Sequence, residues 1–189
     1  MRRRALLASL GVGCTALSGC SALESSPSFA VDPDPRPEGM PILLDATLES
    51  EGSPGRPPTV DVSLTNDSGH EQEVSIASPS TGLPFFGTHA DGPDGNALGL
   101  FDRPSSLRYD GCWKGTNRIG GNDAAARRTF SPGETMEASR FLFNEDGNSG
   151  CWPAGEYYFS EGYTVAKASS DLDYSEKPSY GWGFTVTIS

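Results

Sequence analysis

The sequence predicts an all-β protein built as a two-sheet antiparallel sandwich. Three observations carry the prediction. Apolar residues recur with a period of two in several short runs. Gly, Pro, Asp and Asn separate those runs. Beyond residue 20, no stretch sustains the 3.6-residue period of an amphipathic helix.

In V-D-V-S-L-T, residues 60–65, Val60, Val62 and Leu64 share one face. H-E-Q-E-V-S-I, residues 70–76, follows the turn-rich N-D-S-G at 66–69, and this predicts a hairpin. P-I-L-L-D-A-T-L, residues 41–48, is an earlier strand. T-M-E-A-S-R-F-L-F, residues 135–143, is another, introduced by the turn S-P-G-E at 131–134. G-E-Y-Y-F at 155–159 and Y-T-V-A at 163–166 read as two further strands. In Y-G-W-G-F-T-V-T-I, residues 180–188, Tyr180, Trp182, Phe184, Val186 and Ile188 form one face, with Gly and Thr opposite. So complete an apolar face predicts a central or well-covered strand. The nearest approach to a helix, N-D-A-A-A-R-R at 122–128, is at most two turns long. About seven or more strands of this kind predict an immunoglobulin-like sandwich, with a barrel as the rival closure. Residues 78–128 have no clear place in that pattern.

The chain has 189 residues, enough for one domain plus attachments. Its formal charge is -11, with 25 Asp and Glu and only three lysines, Lys114, Lys167 and Lys177. Loss of Arg2, Arg3 and Arg4 with a cleaved leader would take the charge from -11 to -14. Such a balance argues against nucleic acid, because it leaves phosphates unneutralised. It argues equally against a basic patch on anionic lipid. A carboxylate-rich, Lys-poor surface stays hydrated at high salt, where its self-repulsion is screened. The composition therefore fits a salt-loving organism; an ordinary acidic secreted domain is the plainer alternative.

The amino terminus reads M-R-R-R, followed by fifteen uncharged residues, 5–19, ending at L-S-G-C. A basic start and a short apolar run form an export signal, and the run is too short for a comfortable membrane span. The L-S-G-C run from Leu17 to Cys20 resembles the lipobox of exported lipoproteins, and R-R-A-L-L from Arg3 resembles the twin-arginine export motif. With the acidic remainder, the chain resembles a haloarchaeal twin-arginine lipoprotein. The resemblance implies cleavage before Cys20, lipid on its sulfur and residence on the extracellular face of the cell membrane. Ala5 stands where an aromatic might extend the twin-arginine motif, so the general secretory route stays open. The expected organisation is a signal peptide at 1–19, a lipidated Cys20 with a disordered tether to residue 40, and a sandwich over 41–189. Prolines at 27, 33, 35 and 37 support the tether, since each fixes φ and disfavours helix before it.

Cys14 lies in the expected leader and Cys20 in the lipobox, leaving Cys112 and Cys151. In an exported domain such a pair is most simply a disulfide. A metal site would need further ligands, and His70 and His89 are not near either cysteine in sequence. Redox chemistry would favour a C-x-x-C arrangement, which is absent.

Chemistry is sparse. His70 sits at an expected turn, and His89 lies in the irregular F-F-G-T-H-A-D-G at 85–92. No G-x-S-x-G elbow and no H-E-x-x-H occurs. No catalytic residue and no cofactor is expected. The acidic runs D-G-P-D-G-N at 91–96 and N-E-D-G-N at 144–148 offer Asp91, Asp94 and Asp146 as oxygen ligands for calcium, but both depart from the EF-hand pattern and also read as tight turns. Phe85, Phe86, Phe101, Tyr109, Trp113 and Trp152 concentrate in or near loops. They either cap the core beside the disulfide or form a recognition patch for a protein or glycan.

Residues 60–188 loosely resemble small immunoglobulin-like domains of exported lipoproteins, and domains of the Bacillus intracellular proteinase-inhibitor type look similar, with a P-G turn, a strand and then a G-x-Y strand in the same order. The shared features are a run near Asn66, the S-P-G-E turn, C-W-P-A-G-E-Y at 151–157 and the closing strand with Trp182 and Phe184. That resemblance implies the fold alone. The expected function is a noncatalytic, membrane-anchored binding or envelope structural module. A secreted hydrolase or a proteinase inhibitor presented on the membrane is the alternative.

Overall fold

The computed structural model describes residues 26–53, 55–76, 84–85, 88–102, 108–109, 112–115, 126–171 and 173–189. Twelve strands lie among them. They are β1 (Phe29–Pro33), β2 (Ile42–Ser50), β3 (Thr59–Asn66), β4 (Gln72–Ile76), β5 (Thr88–Asp91), β6 (Ala97–Phe101), β7 (Arg108–Tyr109), β8 (Cys112–Gly115), β9 (Ala126–Phe130), β10 (Thr135–Glu145), β11 (Gly155–Lys167) and β12 (Ser179–Ile188). Five form one sheet in the order β1-β12-β11-β4-β9. The other runs β2-β3-β10-β6-β5, with β8 added beside β10 and β7 beside β8. All pairings are antiparallel except the short β8–β10 contact, which joins Lys114 to Asn144 and Gly115 to Glu145. The expected all-β sandwich is present, with more strands than seven.

Alternation explains the packing. In β2, Ile42, Leu44 and Ala46 are buried while Leu43, Asp45 and Thr47 face solvent. In β3, Val60, Val62 and Leu64 enter the core, as their period requires. The facing sheet supplies the bulk: Tyr157, Phe159, Trp182, Phe184, Val186 and Ile188 are all buried. Phe159 stacks on Phe184 at 5.5 Å between centroids, and Phe85 meets the same ring at 4.8 Å. Burying a side chain of this size stabilises the fold by about 2–3 kcal/mol relative to leaving it in water. As expected of its apolar face, β12 is covered, lying between β1 and β11.

Four expectations need correction. The tether does not extend to residue 40. Phe29–Pro33 form β1, paired with β12 from Phe29↔Ile188 to Pro33↔Phe184, and Phe29 is buried. The prolines exclude helix but suit an edge strand, where a missing N–H faces outward. Second, N-D-S-G does not close a hairpin. β3 lies in one sheet and β4 in the other, so residues 66–70 turn the corner between sheets. Third, 155–159 and 163–166 are one thirteen-residue strand, β11, because Ser160, Glu161 and Gly162 continue the ladder against Gly183, Trp182 and Gly181. Fourth, the described residues within 78–128 are chiefly strands: β5 and β6 extend the second sheet, β9 edges the first, and Ala126–Arg128 are strand rather than helix.

The two ends of the sandwich can be followed from the register. Phe29, Ile188 and Gly155 meet at one end. The turns at 92–96 and 146–154 belong to this end, since the Cβ that Gly155 lacks would lie 2.4 Å from Pro93 Cγ. Asn66, Gln72, Phe130, Thr135 and Lys167 lie at the other.

Candidate functional site

At the Phe29 end, two acidic turns expected separately from sequence come together. Their side-chain contacts run through asparagines. Asn148 Oδ1 accepts from the Ala97 N–H at 2.8 Å, and Asn148 Nδ2 donates to Ala97 O at 2.8 Å and to Asn144 Oδ1 at 2.8 Å. Buried Asn96 accepts the Ser149 N–H at 2.9 Å. Asn144, also buried, donates to Gly150 O at 2.7 Å and to Cys112 Sγ at 3.2 Å. Asp91, Asp94 and Asp146 stay exposed. Among the described residues, no three His, Cys, Asp or Glu side chains gather to hold a metal ion.

Cys112 and Cys151 are joined as a disulfide, with 5.4 Å between Cα atoms and a sequence separation of 39. The bond ties β8, which pairs with the end of β10, to the turn that follows β10. Beneath β8 lies a small apolar cluster apart from the main core. Phe101 meets Phe143 edge-on at 5.5 Å, and His89 meets Phe101 at 5.8 Å. Gly99 makes this approach possible, because a Cβ there would lie 2.7 Å from the Phe101 ring. Over the glycine, His89 Nδ1 on β5 reaches the Glu145 carboxylate on β10. The two strands are not neighbours: β6 lies between them.

Of the aromatics expected as a recognition patch, the described ones are buried or half-buried. Phe85 is fully buried and packs on Trp182 and Phe184, so it belongs to the core. Trp152 is half-buried and stacks edge-on against Phe29 at 5.3 Å. Trp113 is half-buried, and its indole N–H donates to Ser53 O at 3.4 Å. Phe101 is buried beneath β8. The Tyr109 backbone lies in β7, while its side chain, Phe86 and Cys20 lie outside the described residues. Among the described candidates Phe85 is thus committed to the core, while Trp113 and Trp152 keep part of their surface exposed.

A charged group inside the sandwich escaped the sequence reading. Arg140 occupies an inward position of β10 between Ala138 and Leu142 and is only 2% exposed. Its Nε donates to Pro84 O at 2.9 Å and its Nη1 to Ser139 O at 2.9 Å. Burial pushes its pKa down, while the carboxylates of Asp102 and Glu161 push it back up. Arginine retains its charge under such opposition. From the facing sheet, Glu161 Oε1 accepts the Phe85 N–H at 2.7 Å. Burial raises the Tyr163 hydroxyl well above its ordinary pKa, and the Glu161 carboxylate adds to the rise. Two charged side chains from opposite sheets thus grip the backbone of Pro84–Phe85. The grip coincides with a left-handed φ of 56° at Phe85. Parity held the signal: Arg140 and Glu161 stand where the alternation demands apolar residues.

On the opposite, outer side of β2, β3 and β10 runs an open groove of about 520 Å3, lined by Asp45, Thr47, Asp61, Ser63, Glu137 and Ser139 among others. Ser139 Oγ donates to Asp61 at 2.6 Å. This face offers carboxylate and hydroxyl oxygens for hydrogen bonding. No protein-family model matches the sequence, and comparison with curated proteins finds no significant match.

Proposed function

We propose that the chain is a noncatalytic lipoprotein domain, held on the outer face of the cell membrane by lipid on Cys20, that serves as a binding or envelope structural module. The Cys112–Cys151 disulfide is the observation that supports export most directly, because such a bond persists in an oxidising compartment. The leader and L-S-G-C run supply the route and the anchor. The polar groove and the part-exposed Trp113 and Trp152 are the described surfaces on offer to a protein or glycan partner. The test is the intact mass of protein extracted gently from its own membranes. A chain beginning at Cys20, heavier by its lipid and carrying one disulfide, is the expected result. A co-purified protein or sugar makes it a binding module. Retention of residues 1–19, or an unmodified Cys20 in the membrane fraction, overturns the reading.

A further inference from the structure

We propose that the end of the sandwich carrying Phe29, the disulfide and the 146–154 turn faces the lipid surface, and that the corner at 66–70 and the turn at 168–170 point away from it. This rests on the reading of Cys20 as the anchored residue. Chain length and attachment point set this orientation. Nine residue steps separate Cys20 from Phe29, which at full extension reach about 30 Å. Phe29 is fixed at one end of the first sheet: it pairs with Ile188, and Ser28 and Ser189 exchange both backbone hydrogen bonds, at 2.9 and 3.1 Å. Its ring is also held against Trp152. The anchor therefore attaches to one end of the sandwich and not to its middle.

The distance to the other end sharpens the point. β11 runs the length of the domain in thirteen residues, about 43 Å at 3.3 Å per residue. The tether is shorter than the domain is long. An upright or tilted domain keeps the Phe29 end nearer the bilayer. Only a domain lying flat would equalise the two ends.

Charge sets how closely that end approaches. Asp91, Asp94, Asp146 and Glu156 are exposed on it. Anionic headgroups repel these carboxylates at low salt, across a screening length of about 10 Å at 0.1 M. At 1 M the screening length falls to about 3 Å, and the end can settle closer. The tether, not the surface of the domain, supplies the attraction.

The experiment uses the full exported, lipidated protein in phosphatidylglycerol vesicles that carry an energy-transfer acceptor on their headgroups. A donor dye is attached at Glu156→Cys, near the start of β11, or at Ser169→Cys, in the turn just past its end; both positions are exposed. Both leave the Cys112–Cys151 bond intact. We expect at least twofold greater transfer from position 156 than from 169, with transfer from 156 rising further between 0.1 M and 3 M KCl. Equal transfer, or greater transfer from 169, overturns the orientation while leaving the anchor standing. Vesicle flotation is measured on the same samples. Protein that does not float, or that floats equally well as Cys20→Ser, sinks the anchor and the orientation with it.

Discussion

The two ends of the sandwich are closed by different means. At the corner end a single amide does most of the joining. Asn66 is fully buried; its Nδ2 donates to His70 O at 2.8 Å and to Phe130 O at 2.9 Å, and its Oδ1 accepts the Ser68 N–H at 3.0 Å. Its own backbone bonds Glu134 O and the Gly133 N–H, so one residue ties both crossings between the sheets. At the Phe29 end, three asparagines and a disulfide divide the task. Asn66 joins its local partners Ser68 and His70 to the distant Phe130, Gly133 and Glu134 without any covalent link. The contacts at the Phe29 end span 51 and 53 residues and include a covalent bond. One end can therefore close whatever the redox state, and the other is completed only after oxidation.

The strongest way to break this contrast is to remove the disulfide. Cys112→Ser with Cys151→Ser should cost about 4 kcal/mol on the chain-entropy estimate for a loop of this size, read as a lowered guanidinium midpoint. Amide exchange should quicken at Ala97 and Ser149, while Asn66 and Gly133 keep their protection. Equal loss at all four would mean that the ends are not independent. Asn66→Ala comes next, at about 3 kcal/mol, because it strands two carbonyls and an amide in or near the core. Its exchange signature should be the reverse, with the corner opening and the disulfide end retained. Asn148→Ala should cost about 2 kcal/mol and loosen the Phe29 end even with the disulfide intact; an unchanged midpoint would assign that end's order to the disulfide alone.

The smallest effect concerns acid. The Ser131 N–H, and then Arg128, hold the Glu134 carboxylate below its ordinary pKa of 4.5. The group therefore stabilises the fold above that value and loses its contribution as pH falls through the depressed pKa. Glu134→Gln should lower stability slightly at pH 7 and flatten the acid limb below about pH 4.5, where the two curves converge. An acid limb of unaltered slope would remove Glu134 from the account of the corner.

The strands were legible because burial on one face leaves a period of two in the residues themselves. Val60, Val62 and Leu64 declare their face without help, and so does the closing strand. Where that signal stops, residue type alone does not fix the path of the chain. N-D-S-G has the residues of a hairpin turn, and nothing local tells a hairpin from a crossing between sheets. The difference lies in Asn66 reaching Phe130, 64 residues away. Glu161 interrupted an apolar alternation and split β11 in the sequence reading, yet its parity was intact. The disulfide was legible from cysteine count and the expected export. The meeting of the two acidic turns was not, because the asparagines that join them look like ordinary turn residues until the fold supplies their partners.

The pairing of β1 with β12 also has a mechanical consequence. β1 enters the sheet at Phe29 and runs along its partner to Pro33. A pull on the residues before Phe29, away from that end, is directed along the strand rather than across it. The hydrogen bonds to β12 then resist in parallel, as in a lap joint, and must fail together instead of peeling one by one. The point where the chain would meet an anchor is thus arranged to withstand drag on the rest of the domain.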